Sequence, residues 1–315
     1  MRVLKQPVSP QSIPNRAALS AQDLRGVFLP IPTPFNSAGV IDFGALHSNI
    51  AKWSQTAIGG FVLLGSTGER VNLDEREYLE LIASARENVA ERLTFIVGAG
   101  QQSTRGTINE IRRVAASVSV DAFLVITPSF YRPSITEDAL IAHYQAVADA
   151  SPAPVILYSM PALTGIRIEP QTAALLSEHE NIIGIKDSSN DVAGLAETIK
   201  LVPEDFAVLT GNGTVLQEAL AAGACGGILA VGCVAPELCL EIYSAVKAGE
   251  AKRASKLQST LTPLAQAVTT RFGIGGLKAA LDLKGYTGGY VRAPLREADS
   301  EAREEIRRCL ELAFL

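Results

Sequence analysis

The segment Asn181-Ile182-Ile183-Gly184-Ile185-Lys186-Asp187-Ser188-Ser189 decides how the rest of the chain is read. Its apolar run, bounded by turn residues, has the length and composition of a buried strand. Lys186 stands at the end of that run. Burying an ammonium is costly, so a lysine there has two readings. It caps the strand and snorkels to solvent, or it sits in a water-poor site as a free amine that attacks a carbonyl and forms a Schiff base. The segment alone leaves both open.

The same short apolar run recurs on either side of it. Strands are expected at 26–30, 60–64, 94–97, 122–126 and 155–158 before the lysine, and at 206–209 and 227–230 after it. Helical spacing separates them at 42–53, from 74, at 103–117, 136–150, 169–177 and 191–201. Eight strands alternating with helices predict an α/β fold of the (β/α)8 TIM-barrel type. Continuous apolar strands, buried on both faces, suit a parallel sheet. A doubly wound sheet is the competing arrangement, but no strand–GxGxxG–helix fingerprint or P-loop is present. Beyond 237 the pattern is helical only, at 251–268, 276–283 and 299–312. The expected organisation is a tail over 1–25, a barrel over 26–236, and a helical region over 237–315 packed on it.

Composition narrows the partners. The 315 residues are 47% hydrophobic with a net charge of −5 and no basic block, which argues against nucleic acid. None of the four cysteines, Cys225, Cys233, Cys239 and Cys309, sits in a CxxC pair, and reduced thiols in an intracellular, cytoplasmic protein are expected. The longest uncharged run, 219–236, approaches a membrane span in length but holds Gly223, Gly226, Gly227 and Gly232. A helix end, a turn and a buried strand explain it better than a span. The first 25 residues carry Arg2, Lys5, Arg16 and Arg25 with no acid before Asp23, a faint likeness to a mitochondrial-type transit peptide. Pro7, Pro10 and Pro14 would break the helix such a peptide uses, so a disordered or surface-bound tail is preferred.

In a barrel the active site is built at the C-terminal ends of the strands. Strand two ends in Gly65-Ser66-Thr67-Gly68-Glu69, read either as an ordinary glycine turn or as a cradle of N–H groups and hydroxyls for a carboxylate. Strand five ends in Tyr158, whose phenol is either half-buried packing or a proton shuttle. Cradle, tyrosine and lysine coincide at one end of the barrel, which favours the functional reading of Lys186. The three histidines, His47, His143 and His179, show no HxH or HExxH spacing, so a histidine metal site is not expected. There is no GxSxG elbow. Asp187 is read as capping the next turn.

These residues resemble the class I, pyruvate-dependent aldolases of the dihydrodipicolinate synthase and N-acetylneuraminate lyase superfamily, from about Gly26 to the C-terminus. The likeness rests on Gly65-Ser66-Thr67-Gly68-Glu69, on Leu157-Tyr158-Ser159-Met160-Pro161-Ala162-Leu163-Thr164-Gly165 and on Ile183-Gly184-Ile185-Lys186-Asp187-Ser188. The later segments Arg271-Phe272-Gly273-Ile274-Gly275-Gly276-Leu277-Lys278, Gly285-Tyr286 and Arg292-Ala293-Pro294-Leu295 are most similar to the 4-hydroxy-2-oxoglutarate aldolase branch. The resemblance implies that Lys186 is the Schiff-base lysine and Tyr158, with Ser66, the proton relay. It implies that Gly65, Ser66 and Thr67 hold the carboxylate of pyruvate, and that Ser188 and Ile228 line the pocket. It further implies a small 2-oxo acid substrate, no metal or organic cofactor, and a homotetramer or homodimer.

Three positions depart from the family pattern. Synthases of this superfamily carry an arginine for the second substrate's carboxylate where this chain has Leu163, and leucine makes no bidentate carboxylate contact. Sialic acid lyases carry acids after strand seven, where this chain has Gly211-Asn212-Gly213-Thr214. A second relay tyrosine is replaced by Phe130, with Tyr131 next to it: either Tyr131 serves, or the relay is Ser66, Tyr158 and water. The expected activity is therefore cleavage of a 4-hydroxy-2-oxo acid, with 4-hydroxy-2-oxoglutarate giving pyruvate and glyoxylate. A 2-keto-3-deoxy sugar acid aldolase, dihydrodipicolinate synthase and N-acetylneuraminate lyase are the alternatives, and a non-catalytic 2-oxo acid binding barrel is the reading from another class.

Overall fold

A computed structural model describes residues 19–314. Eight parallel strands close in chain order into a barrel: β1 (Gly26–Ile31), β2 (Gly60–Leu63), β3 (Thr94–Ala99), β4 (Ala122–Ile126), β5 (Val155–Ser159), β6 (Ile182–Asp187), β7 (Ala207–Thr210) and β8 (Gly226–Ile228). β8 returns to β1 in the register Gly26↔Gly226 and Phe28↔Ile228, which closes the sheet. The fold is the TIM barrel expected from the strand rhythm.

The strands read as unbroken apolar runs because both faces are buried. Phe28, Val62, Ile96, Leu124, Ile156, Leu209 and Ile228 fill the interior. Their strand neighbours Leu29, Phe61, Phe95, Val125, Leu157 and Val208 face the surrounding helices. Those helices are α1 (Phe43–Trp53), α2 (Glu75–Arg86), α3 (Thr104–Ser117), α4 (Glu137–Ala150), a single turn α5 (Pro161–Thr164), α6 (Pro170–Leu176), α7 (Val192–Leu201), α8 (Leu216–Ala221) and α9 (Pro236–Lys247). Asp42, Asp74, Ser103, Thr136 and Asp191 each accept a hydrogen bond from the first helical turn that follows. Each such cap stabilises its helix start by about 1 kcal/mol.

Several boundaries differ from the expectation, for identifiable reasons. β6 runs past the apolar stretch to Asp187, because ladder pairing with β5 continues through Tyr158↔Lys186 and Ser159↔Asp187. Lys186 is thus the penultimate residue of the strand, at the end where it was expected. The short α8 has no capping side chain, and only its end was expected, from the uncharged run that begins at 219. α9 follows β8 and packs on α8 and β1, so it is the eighth helix of the barrel itself. The extra helices are α10 (Ala251–Gln266), α11 (Gly273–Leu283) and α12 (Ser300–Phe314), with a π-helical turn over Ala267–Arg271 between the first two. The tail expected over 1–25 lies outside the described residues up to residue 18. Its last part is a 3-10 turn, Ala21–Leu24, whose Ala21 and Leu24 enter the interior cluster, so these residues belong to the barrel rather than to a tail. The uncharged run 219–236 is the end of α8, a turn, β8 and the loop into α9. Among the described residues no helix is long and apolar enough to cross a membrane.

One buried polar group sets an acid limit on the fold. His143 on α4 is buried, with Nδ1 3.0 Å from Thr104 Oγ1 and Nε2 unpartnered among the described residues. Burial pushes its imidazole down to about 4 from the usual 6.5. The folded state therefore favours the neutral ring, and its contribution is complete above about pH 6.5 and lost as pH falls toward about 4. Linkage puts the loss at about 3 kcal/mol. Urea midpoints of the wild type should fall more steeply between pH 7 and pH 4 than those of His143→Gln; parallel curves would refute this assignment.

Candidate active site

Lys186 is 4% exposed. Its register partners are Tyr158 on β5 and Leu209 on β7, both members of the interior cluster. Alternation along a strand then aims the lysine side chain into the barrel near its C-terminal mouth. The Nζ atom lies 4.3 Å from the centroid of the Tyr158 ring. The snorkelling alternative is excluded by this burial.

Tyr158 is also buried, and its hydroxyl is 2.9 Å from Ser66 Oγ. Burial pushes the phenol up, but the Lys186 charge and hydrogen bonds from Ser66, Ser188 and Lys186 outweigh it and hold the group below its ordinary value of 10. The arrangement joins an amine, a phenol whose ionisation is eased, and a hydroxyl at the end of β2.

Ser66–Gly68 forms a 3-10 turn closed by Gly68 N–H to Gly65 O and Glu69 N–H to Ser66 O, each 3.1 Å. The N–H groups of Ser66 and Thr67 open that turn and have no partner within it. Both residues flanking the Gly65–Gly68 segment are non-glycine residues in the left-handed region, Leu64 at φ 55° and Glu69 at φ 55°. Such conformations cost on the order of 1–3 kcal/mol each and persist only where the surroundings enforce them.

A match to the Dihydrodipicolinate synthetase family covers residues 23–313. The chain belongs to that family. A relative named 4-hydroxy-tetrahydrodipicolinate synthase from Methanopyrus kandleri is 34% identical over 288 residues, 90% of this chain and 95% of its own. One of the same name from Corynebacterium aurimucosum is 36% identical over 282 residues, 89% of this chain and 92% of its own. Among solved structures, the chloride-inhibited dihydrodipicolinate synthase from Acinetobacter baumannii complexed with pyruvate superimposes with a TM-score of 0.87 at 29% identity, covering 92% of this chain and 98% of that one. The family's members are class I, Schiff-base-forming lyases, and this chain is an enzyme of that class.

Against that family frame, the structure places Ser66, Thr67, Tyr158, Lys186 and Ser188 at one end of the barrel. Thr67 is buried, and Ser188 follows β6 directly. Ile228 ends β8 within the same interior cluster as Tyr158. Asp187 accepts the Ser189 N–H at 2.7 Å, the capping contact expected of it. Phe130 and Tyr131 stand at 74% and 68% exposure in edge-to-face contact with each other. With Tyr131 in solvent, the hydroxyl pair within a single chain is Ser66 and Tyr158.

The sequence did not single out Gly211. A Cβ at this position would overlap Ser188 Oγ and stand 2.6 Å from Lys186 Cε. Only glycine leaves the lysine its space, and the turn Thr210-Gly211-Asn212-Gly213 after β7 was the available signal. Gly211→Ala should displace the Lys186 side chain while leaving the barrel folded. A misplacement near 1 Å costs about 10²-fold in rate. Turnover within threefold of wild type would show that the lysine does not need this gap.

Proposed function

We propose that this enzyme cleaves a 4-hydroxy-2-oxo acid through a Schiff base on Lys186, with 4-hydroxy-2-oxoglutarate, giving pyruvate and glyoxylate, as the first candidate. The observation that carries the reading is the pairing of Lys186 and Tyr158 in one register row, with the phenol 2.9 Å from the Ser66 hydroxyl.

In this reading the Lys186 amine adds to the C2 ketone, and loss of water leaves a cationic iminium. Tyr158, in contact with Ser66, takes the proton of the 4-hydroxyl. The C3–C4 electron pair moves into the iminium as that bond breaks, leaving an enamine and releasing the aldehyde. Protonation of C3 regenerates the iminium, and hydrolysis returns the amine and pyruvate. The N–H groups and hydroxyls of Ser66 and Thr67 orient the substrate carboxylate, and Ser188 steadies the phenol. A homotetramer or homodimer belongs to the same proposal.

Leu163 on α5, 64% exposed, puts no cation in that turn, which weighs against the synthases' second substrate and makes a 2-keto-3-deoxy sugar acid the nearest alternative. A distal carboxylate gains no bidentate partner there. The choice of 4-hydroxy-2-oxoglutarate, which carries a distal carboxylate itself, is supported instead by the likeness of 271–278 and 292–295 to the 4-hydroxy-2-oxoglutarate aldolase branch. The second reading, dihydrodipicolinate synthase activity, is favoured by the names of the relatives at 34% and 36% identity. Pyruvate release should be assayed with 4-hydroxy-2-oxoglutarate and with a 2-keto-3-deoxy sugar acid, and pyruvate consumption with the synthases' aldehyde substrate. Faster turnover in the last assay than in the first would replace the first reading by the second.

A further inference from the structure

The strained segment around Ser66 and Thr67 is fastened from the far end of the chain. Glu69 is buried, and both its carboxylate oxygens are engaged. Oε1 accepts from Lys278 Nζ at 2.6 Å, and Oε2 accepts from Arg292 N–H at 3.0 Å and from Asn72 Nδ2 at 3.3 Å. Lys278, on α11, is 2% exposed, and its ammonium has three acceptors: Glu69 Oε1, Thr33 O at 2.7 Å and Tyr290 O at 2.5 Å. Thr33 in turn donates its hydroxyl to Gly68 O at 2.7 Å. The Phe35 ring lies 4.7 Å from the ammonium, and the Arg292 guanidinium, paired to both oxygens of Glu77, lies 4.3 Å from the same ring.

We propose that Lys278 is a positioning residue for the carboxylate cradle: through Glu69 and Thr33 it holds the Ser66–Gly68 turn in the strained conformation that presents its N–H groups to the substrate. This rests on the reading that Ser66 and Thr67 bind the carboxylate of the 2-oxo acid. A buried ion pair is a poor means of gaining stability, because apolar side chains of equal volume do as well or better. What it supplies is direction. Three N–H vectors from one ammonium fix the proline-rich turn after β1, the residue that closes the cradle, and the loop after α11 relative to one another. Preorganised donors of this kind act in binding and catalysis only while their geometry is held. An arrangement serving packing alone has no need to engage both the last residue of the turn, Gly68, through Thr33, and the residue after it, Glu69, directly.

The test is the double variant Glu69→Gln with Lys278→Met, which removes both charges at little change in volume and leaves no single buried ion. Wild type and variant are titrated with pyruvate in the presence of borohydride, well below their melting temperatures, and the adduct is read by intact mass. The variant should still reach the full adduct on Lys186 at saturation, with the half-saturating pyruvate concentration raised tenfold or more. An unchanged half-saturating concentration in the folded variant, with only a lower melting temperature, overturns the proposal and leaves a structural pair. Should the double variant not fold, Glu69→Gln alone decides, with a rise of threefold or more expected and no rise overturning. If the wild type forms no adduct, the Schiff-base reading fails separately. Calorimetric titration of pyruvate into both proteins then tests the brace by the same shift, and no binding to wild type removes it along with the cradle.

Discussion

Lys186→Ala should give no reduced pyruvyl adduct on treatment with pyruvate and borohydride, and turnover should fall by on the order of 10⁴-fold or more. The wild type should gain the adduct mass at Lys186. The expectation follows from the position of the amine: it is 4% exposed, aimed into the barrel, and stacked 4.3 Å from the Tyr158 ring centroid. Among the described residues the other buried lysine, Lys278, cannot substitute, because its ammonium is committed to three acceptors. The loss should not be a folding defect. Replacing a buried, hard-to-desolvate group removes a cost as well as a contact, and Lys186→Met, which keeps the volume, should melt within a few degrees of wild type. An adduct of undiminished mass in the alanine variant would place the Schiff base elsewhere and remove the central chemical claim.

The sequence made the barrel readable because eight apolar runs alternate with helical spacing, and a strand buried on both faces leaves an unmistakable run. It showed the lysine as well, since a cation at the end of such a run conflicts with burial. It could not show that β6 extends past Lys186 to Asp187, because that depends on the ladder with β5 continuing through two polar residues. Of α8 only the end was legible, because six residues without a capping side chain carry too little periodicity. Gly211 and the Glu69–Lys278 pair were hidden for a different reason. Each matters through a contact across the chain, Gly211 against Lys186 and Ser188, and Glu69 against a residue 209 positions away. Such pairs have no local spacing to read.

In the proposed reading the pyruvate half of the site is built from the ends of β2, β5 and β6, whose register is fixed by the closed sheet. In the same reading the aldehyde half faces α5 and the loop after β7, where a residue such as Leu163 sets the charge without altering the barrel. Relatives with 34–36% identity therefore support the reaction class more firmly than the second substrate.

Tyr158→Phe should lower turnover by about 10²–10⁴-fold, the usual share of a positioned proton donor and acceptor, equivalent to about 3–5 kcal/mol of barrel-mouth chemistry. Half-saturation for adduct formation with pyruvate should change far less, since the amine and the cradle remain. The pH dependence supplies the sharper check. The Lys186 charge and the hydrogen bonds from Ser66, Ser188 and Lys186 lower the phenol below 10 against the opposing effect of burial. The base form therefore accumulates as pH rises toward a value under 10, and cleavage should quicken over that window in wild type and stay flat in Tyr158→Phe. Ser66→Ala should shift that limb upward, because it removes one of the hydrogen bonds that favour the phenolate. The two hydroxyls are 2.9 Å apart and act as one relay, so at saturating substrate, where the loss of the Ser66 hydroxyl from the cradle is offset, the double variant Ser66→Ala with Tyr158→Phe should turn over little more slowly than Tyr158→Phe alone. Fully additive losses, or an alkaline limb that survives in Tyr158→Phe, would mean that the proton travels by another route and that the phenol serves only to pack against the lysine.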